Sequence, residues 1–339
     1  MTDHRDISPD QIFQVGFGFW GSKVLLSAVE IGLFTELASA PQSLASLSRR
    51  LDLHPRAAAD FLDALVSMGF LARENGLYAN TPTTDAYLDR SKESYVGGLL
   101  EMASVRMYPF WGSLTEALRT GLPQNEAKNG GPDPFQAIYA DPDVLKGFLQ
   151  AMTGISRPVA ASIGERFNWS SYRTFADIGC AQGGLMTHVA ARHPHLKGVG
   201  FDLPPVRPVF EHHVRSAGLQ DKLRFEGGDF FVDALPEAEV LVLGHILHDW
   251  DLERKRALVA KCYEALRGGG ALIVYDALID DERRTNTFGL LMSLNMLIET
   301  PGGYDYTGPD CEGWMRAAGF RMTRTEMLTS THGMVVGFK

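Results

Sequence analysis

Residues 175–184 read Phe175-Ala176-Asp177-Ile178-Gly179-Cys180-Ala181-Gln182-Gly183-Gly184, and this stretch decides the fold. A short apolar run meets a glycine turn, and an amphipathic segment follows. That order is expected of a buried strand feeding a helix. Glycines in such a turn let the backbone pass close to a ligand with no Cβ in the way. A tight turn with no ligand needs the same residues, so the loop alone is weak. The pattern departs from G-x-G-x-x-G, because Ala181 stands where the second glycine belongs. In a dinucleotide site that glycine admits the pyrophosphate. The loop therefore suits a nucleoside ligand without one.

Further along the chain, short apolar runs alternate with amphipathic segments. Residues 175–178, 198–201, 240–243 and 271–275 read as buried parallel strands, and 185–192, 206–217 and 252–266 as the helices between them. This alternation predicts an α/β fold with a doubly wound, Rossmann-like sheet. Residues 332–338 read as a final edge strand. Asp202 ends the second strand, 25 residues after Asp177, where a carboxylate can accept hydrogen bonds from ribose hydroxyls. Gly228-Asp229-Phe230-Phe231 closes the third strand region, and an aspartate beside aromatics suits an adenine. Asp202 alone is equally a turn residue, and the phenylalanines alone are equally core. Three such features at strand C-terminal ends, in order, point to a nucleoside site.

Toward the N-terminus, Leu25, Val29, Leu33 and Leu37 recur at helical spacing, Leu44, Leu47 and Leu51 form a second helix, and Phe61, Leu62, Leu65 and Val66 a third. Two short apolar runs around Asn75-Gly76 predict a β-hairpin. Three helices and a hairpin describe a winged helix. DNA binding is disfavoured, because the third helix offers only Arg56 and the formal net charge is −9. Residues 91–165 read as helical, interrupted by a loop at 125–134. The domain plan is thus 1–100 winged-helix-like, 101–165 helical and contributing to a ligand pocket, and 166–339 Rossmann-like. No stretch reads as about 20 uninterrupted apolar residues, so no membrane span is expected. The polar residues 1–10 do not read as a secretory signal. Three cysteines without metal-ligand spacing predict reduced thiols, no metal and a cytoplasmic setting.

His245-Ile246-Leu247-His248-Asp249-Trp250-Asp251 follows the fourth strand, which puts His248 near the ligand-binding edge of the sheet. From these residues alone it is as readily structural as catalytic. The run His248-Asp249-Trp250, then Cys262-Tyr263-Glu264-Ala265-Leu266 and Gly268-Gly269-Gly270, resembles the caffeic acid and hydroxyindole type of S-adenosylmethionine-dependent O-methyltransferases, plant and bacterial. Ala28-Val29-Glu30-Ile31-Gly32-Leu33-Phe34, Gly200-Phe201-Asp202-Leu203-Pro204, Gly228-Asp229-Phe230-Phe231 and Pro301-Gly302-Gly303 carry the same resemblance over nearly the whole chain.

The resemblance implies a class I methyltransferase domain with a mostly parallel seven-stranded sheet, and a homodimer formed through the N-terminal domain, where Phe13, Phe17, Phe19 and Trp20 need cover. It implies His248 as general base, flanked by Asp276 and Asp305 where relatives carry the longer glutamate. It implies S-adenosylmethionine, leaving as S-adenosylhomocysteine, held by Ser156, Asp177, Gly179, Asp202, Asp229 and Phe230, with Gly244 in place of a plant-type lysine. The acceptor, a small aromatic hydroxyl compound, would meet Met107, Phe148, Met152, Asn295 and Met296, with Arg106 a candidate for an acidic group on it. Nitrogen, sulfur or carbon acceptors remain open beside oxygen, as does a non-methylating decarboxylase or hydroxylase, which an intact His248 disfavours.

Overall fold

The computed structural model describes residues 8–92, 94–128, 130 and 138–339. The 125–134 loop expected from sequence lies partly outside these. The chain forms two compact units, Met1–Pro109 and Phe110–Lys339.

In the first unit, β2 (Leu71–Glu74) and β3 (Leu77–Asn80) form the expected hairpin, turning through Asn75 and Gly76 at φ 50° and 78°. Both positive φ values match a tight hairpin turn. A two-residue strand, β1 (Gln42–Ser43), joins β3 and was not foreseen. Ser43 then caps helix Leu44–Arg50, and His54 with Pro55 starts helix Pro55–Ser67. The 25–37 periodicity does not give one helix. Gly32, at φ 74°, breaks it into Gly18–Glu30 and Leu33–Glu36. Leu33, Phe34, Leu47, Leu62 and Leu65 make the core of this unit.

Residues Asp10–Glu30 correct one expectation. This 21-residue helical stretch, with a mean hydropathy of 1.3, is long and apolar enough to cross a membrane by length and composition. Its aromatics, glycines and scattered polar residues hid it from a reading that sought an unbroken apolar run. Lys23 and Glu30 near its end join Ser104 in a hydrogen-bonded cluster.

The second unit holds a seven-stranded sheet in the order β6-β5-β4-β7-β8-β10-β9. Its strands are β4 (Thr174–Ile178), β5 (Lys197–Asp202), β6 (Leu223–Gly227), β7 (Ala238–Gly244), β8 (Leu266–Asp276), β9 (Met322–Met327) and β10 (Gly333–Phe338). The first five are parallel, and β10 runs antiparallel to β8 and β9. β10 is therefore not the edge expected from sequence. Its Gly-Met-Val-Val-Gly is wholly buried, whereas the edge position goes to β9, whose Met-Thr-Arg-Thr-Glu-Met is half-buried or exposed. A polar strand is the better guard of an open edge.

The chain runs outward from β4 to β6, then returns to lay β7 and β8 on β4's other side. The switch point lies between β4 and β7, where open α/β sheets bind ligands. Along the C-terminal ends of the strands, in spatial order, stand Asp229, Asp202, Asp177, the His245–Asp249 segment and Asp276.

Candidate active site

At the β4 end, the turn is held by Asp202. One oxygen accepts Ala181 N–H at 2.9 Å and the other Leu203 N–H at 2.8 Å, with Tyr139 Oη at 3.5 Å from the second. Burial pushes Asp202 up to about 6 against these hydrogen bonds, and Asp177 up to about 7 by burial and by Asp202's charge. A buried carboxylate with free lone pairs fits vicinal hydroxyls, which would donate hydrogen bonds to it. Ala181 keeps the left-handed conformation of the missing glycine, at φ 50°. Gly179 also has a packing reason. A Cβ there would come within 2.3 Å of Ile246 Cδ1, so the glycine lets the loop pack on the His245–Asp249 segment.

Asp229 accepts Phe231 N–H at 2.8 Å and stays half-buried, and Phe230 lies edge-on to Phe231 and to Trp250. Gly244 ends β7 under the ring of Tyr275, and a Cβ on it would sit 2.0 Å from Tyr275 Cζ. Tyr275 thus fills the space above Gly244. Ser156, midway along helix Pro142–Arg166, lies near the Tyr275 hydroxyl. Sequence reasoning missed Tyr275, because a buried tyrosine ending an apolar strand reads as core.

Between β7 and β8, His248 is buried on a short 3-10 turn, Leu247–Asp249. Its Nδ1 lies 3.3 Å from Asp305 Oδ1 and 3.9 Å from Asp276 Oδ1, and its Nε2 lies 3.6 Å from Asp249 Oδ1. Burial works against charge on this ring, but Asp276, then Asp305 and Asp249, outweigh it and raise the imidazole above its ordinary range. Asp276 ends β8 fully buried and is pushed up by burial, against the pull of His248. Tyr306 donates its hydroxyl proton to Asp276 Oδ2. The other oxygen, Oδ1, accepts no hydrogen bond and faces both His248 and His245.

His245 was also missed. It sits at φ 54°, strained for a residue with a Cβ, and burial keeps it neutral. Its ring lies between Tyr275, His248 and His332. Atoms of His245, His248 and Asp276 lie within 4.8 Å of one another. Pro301-Gly302-Gly303 now has a physical reason, since a Cβ on Gly303 would meet His248 O at 2.5 Å. The loop presses on the histidine backbone and so delivers Asp305.

On helix Thr287–Glu299, Asn295 is buried and accepts Trp111 Nε1–H at 2.8 Å. Met296 is buried beside it in sequence, and Ser293 Oγ accepts Asp305 N–H. Phe148, Met152 and Ser156 recur every four residues on helix Pro142–Arg166, all half-buried. Met107 and Arg106 lie half-buried on the π-helical turn Ala103–Met107 of the first unit, and Arg106 already engages another group.

Residues 111–321 match the O-methyltransferase domain family and residues 13–90 the O-methyltransferase dimerisation domain family. The chain is 44% identical to the tetracenomycin polyketide synthesis 8-O-methyl transferase TcmO of Streptomyces glaucescens, over 100% of this chain and 99% of that one. It is 35% identical to the N,N-dimethyltransferase OxyT of Streptomyces rimosus, over 95% and 93%. Human N-acetylserotonin methyltransferase, solved with S-adenosylmethionine, superposes with a TM-score of 0.91 at 28% identity, covering 100% of this chain and 99% of the other.

Proposed function

The chain belongs to the S-adenosylmethionine-dependent O-methyltransferase family, and within it we propose that His248 is the general base that deprotonates an aromatic hydroxyl on a small polycyclic, natural-product-like acceptor. The observation that carries this reading is the buried imidazole with carboxylates on the Nδ1 side. Asp305 and Asp276 keep the Nδ1 proton in place, which leaves Nε2 as the basic atom. A phenol of pKa ~10 is mostly neutral at pH 7, so a positioned base is needed as the new O–CH₃ bond forms. The sulfonium of the donor supplies the electrophilic methyl. The chain's own contribution is to hold donor and acceptor in line and to take the hydroxyl proton onto His248.

Asp202 would hold the ribose hydroxyls and Asp229 with Phe230 the adenine. Asp177, Gly179, Gly244 and Ser156 would border the methionyl end. On the acceptor side we assign Phe148, Met152, Asn295 and Met296. Met side chains adapt to flat rings. The protein works as a homodimer through residues 13–90, in the cytoplasm, where its three buried cysteines stay free thiols.

The test is methylation of a panel of phenols, hydroxyaryl acids, arylamines and aryl thiols with labelled S-adenosylmethionine. His248→Ala is expected to lower kcat by about 10²–10⁴-fold while donor binding, measured by calorimetry, survives. Near wild-type turnover in that variant would refute the assignment. The dimethyltransferase relative favours a second reading, an amine acceptor. Methylated arylamines and unmodified phenols in the panel would select it. No step in either reading asks for a metal. Turnover that is lost on dialysis against a chelator and restored by zinc would reassign the His245–His248–Asp276 group.

A further inference from the structure

Among the described residues, Lys255 is a fully buried cation to which methyl transfer gives no role. It lies in the first turn of helix Leu252–Ala265, capped by Asp251. A cation there opposes the helix dipole, so the helix does not explain it. Its Nζ donates to the Tyr304 carbonyl at 2.8 Å and lies 3.1 Å from the Tyr304 ring centroid, with Tyr306 and Trp314 at 5.5 and 5.9 Å. Burial lowers Lys255 to about 8 against the pull of Asp276, Asp305, Asp249 and Asp251. The ammonium is therefore still charged at neutral pH.

Its contacts fall on either side of Asp305. Tyr304 precedes that aspartate, and Tyr306, the next residue, donates to Asp276. The segment that Lys255 holds thus presents Asp305 to His248 Nδ1 and, through Tyr306, hydrogen-bonds Asp276 on β8. Three buried carboxyl groups, Asp249, Asp276 and Asp305, surround one imidazole. The other titratable groups near it are neutral His245, and His332 beyond His245. Glu299 adds a further negative field through Asp249. An ammonium among these acids offsets a charge excess that the imidazole alone leaves.

We propose that Lys255 is a positioning residue of the reaction, fixing the Tyr304–Tyr306 segment from behind the acid pair and setting by its charge how readily His248 releases a proton. This rests on the reading of His248 as the base. Over the pH range in which Lys255 carries its charge, removing it raises the proton affinity of the groups coupled to it. The deprotonation step that frees the base then moves to higher pH.

The experiment is the pH profile of kcat for wild type, Lys255→Gln, Lys255→Met and Lys255→Arg, at saturating donor and a phenolic acceptor that wild type turns over. A parallel NMR titration follows the labelled His248 ring in the donor complex. Gln can still donate to the Tyr304 carbonyl, so it separates charge from anchoring. Gln and Met are expected to move the acid limb and the His248 titration up by about one pH unit, a tenfold change in proton affinity. Arg is expected to leave both in place. A pH-independent drop in kcat with an unmoved His248 titration would overturn the proposal. So would equal shifts in Arg and Gln, or a fold that only Arg preserves, which would make the role structural. A His248→Gln variant that keeps the wild-type limb would remove the base assignment instead, and the ring titration would still read the Lys255 coupling.

Discussion

The helical stretch Asp10–Glu30 and the C-terminal edge of the large sheet reverse the ordinary rule of burial in opposite directions. At the N-terminus apolar side chains face out, with Val15 76%, Trp20 60% and Phe13 54% exposed. At the sheet edge His248, Asp276, Asp305 and Lys255 face in, each nine-tenths buried or more. Exposed aromatics in that density need cover. Buried charges need partners of opposite sign. The first region lies mostly within the stretch that matches the dimerisation domain family, and the second partners its charges inside the fold. Neither pattern makes sense as core or as surface, and both fall on functional elements.

The exposed side of the comparison carries the largest expected effect. Phe17→Glu with Trp20→Glu should weaken self-association by about 10³-fold, as two interface aromatics of about 2 kcal/mol each would. Light scattering and sedimentation read the change. A dimer of wild-type affinity in the double variant would mean the aromatic face is covered by something other than a second copy. Partition of the wild-type protein into lipid vesicles would mean that the stretch meets a membrane.

The buried side breaks more gently. Asp305→Ala removes the charged partner of His248 Nδ1 and should lower kcat by about 10²-fold, the scale of a charge-assisted hydrogen bond of about 2–3 kcal/mol. Donor affinity should hold, because Asp305 faces the imidazole and belongs to none of the donor-binding groups. Equal losses in kcat and donor binding would show instead that the 300–305 loop supports the whole site.

How much of this was legible depended on whether a residue's cause was local. The strand-turn-helix at 174–184 and the Asn75-Gly76 hairpin follow from local conformational demands, so pattern alone finds them. Asp202 and Asp229 stand at the strand ends expected of them because strand ends can be counted. The edge strand was misplaced because order across a sheet is set by pairing partners, and a run as apolar as β10 fits an interior place better. Gly179 and Gly244 were noticed for the ligand alone, and their packing reasons, Ile246 and Tyr275, come from residues distant in the chain or invisible to a local pattern. His245 and Lys255 were passed over, since one is a histidine near a better histidine and the other a lysine in a charged-looking helix start. Only three-dimensional packing shows that His245 is buried beside Asp276 and Lys255 against the Tyr304–Tyr306 segment. Asp305, placed by resemblance, does reach His248, because Gly303 lets its loop approach closely.

The smallest effect tests the sign of the buried field. The carboxylates raise His248 above the ordinary imidazole value of about 6.5. A general base works in its unprotonated form, so kcat should climb about tenfold per pH unit, about 1.4 kcal/mol, until pH passes the raised value. The acid limb of the profile should therefore lie above 6.5 and the optimum on the alkaline side. Asp305→Asn removes one negative charge and should pull the limb down toward 6.5, while loss of the Lys255 ammonium should push it up. Opposite displacements by two substitutions around one imidazole are hard to obtain from general damage to the fold. A wild-type limb at or below 6.5 would show that burial outweighs the acids at this ring. The sheet edge would then hold a neutral network, and its contrast with the N-terminal face would be one of shape alone.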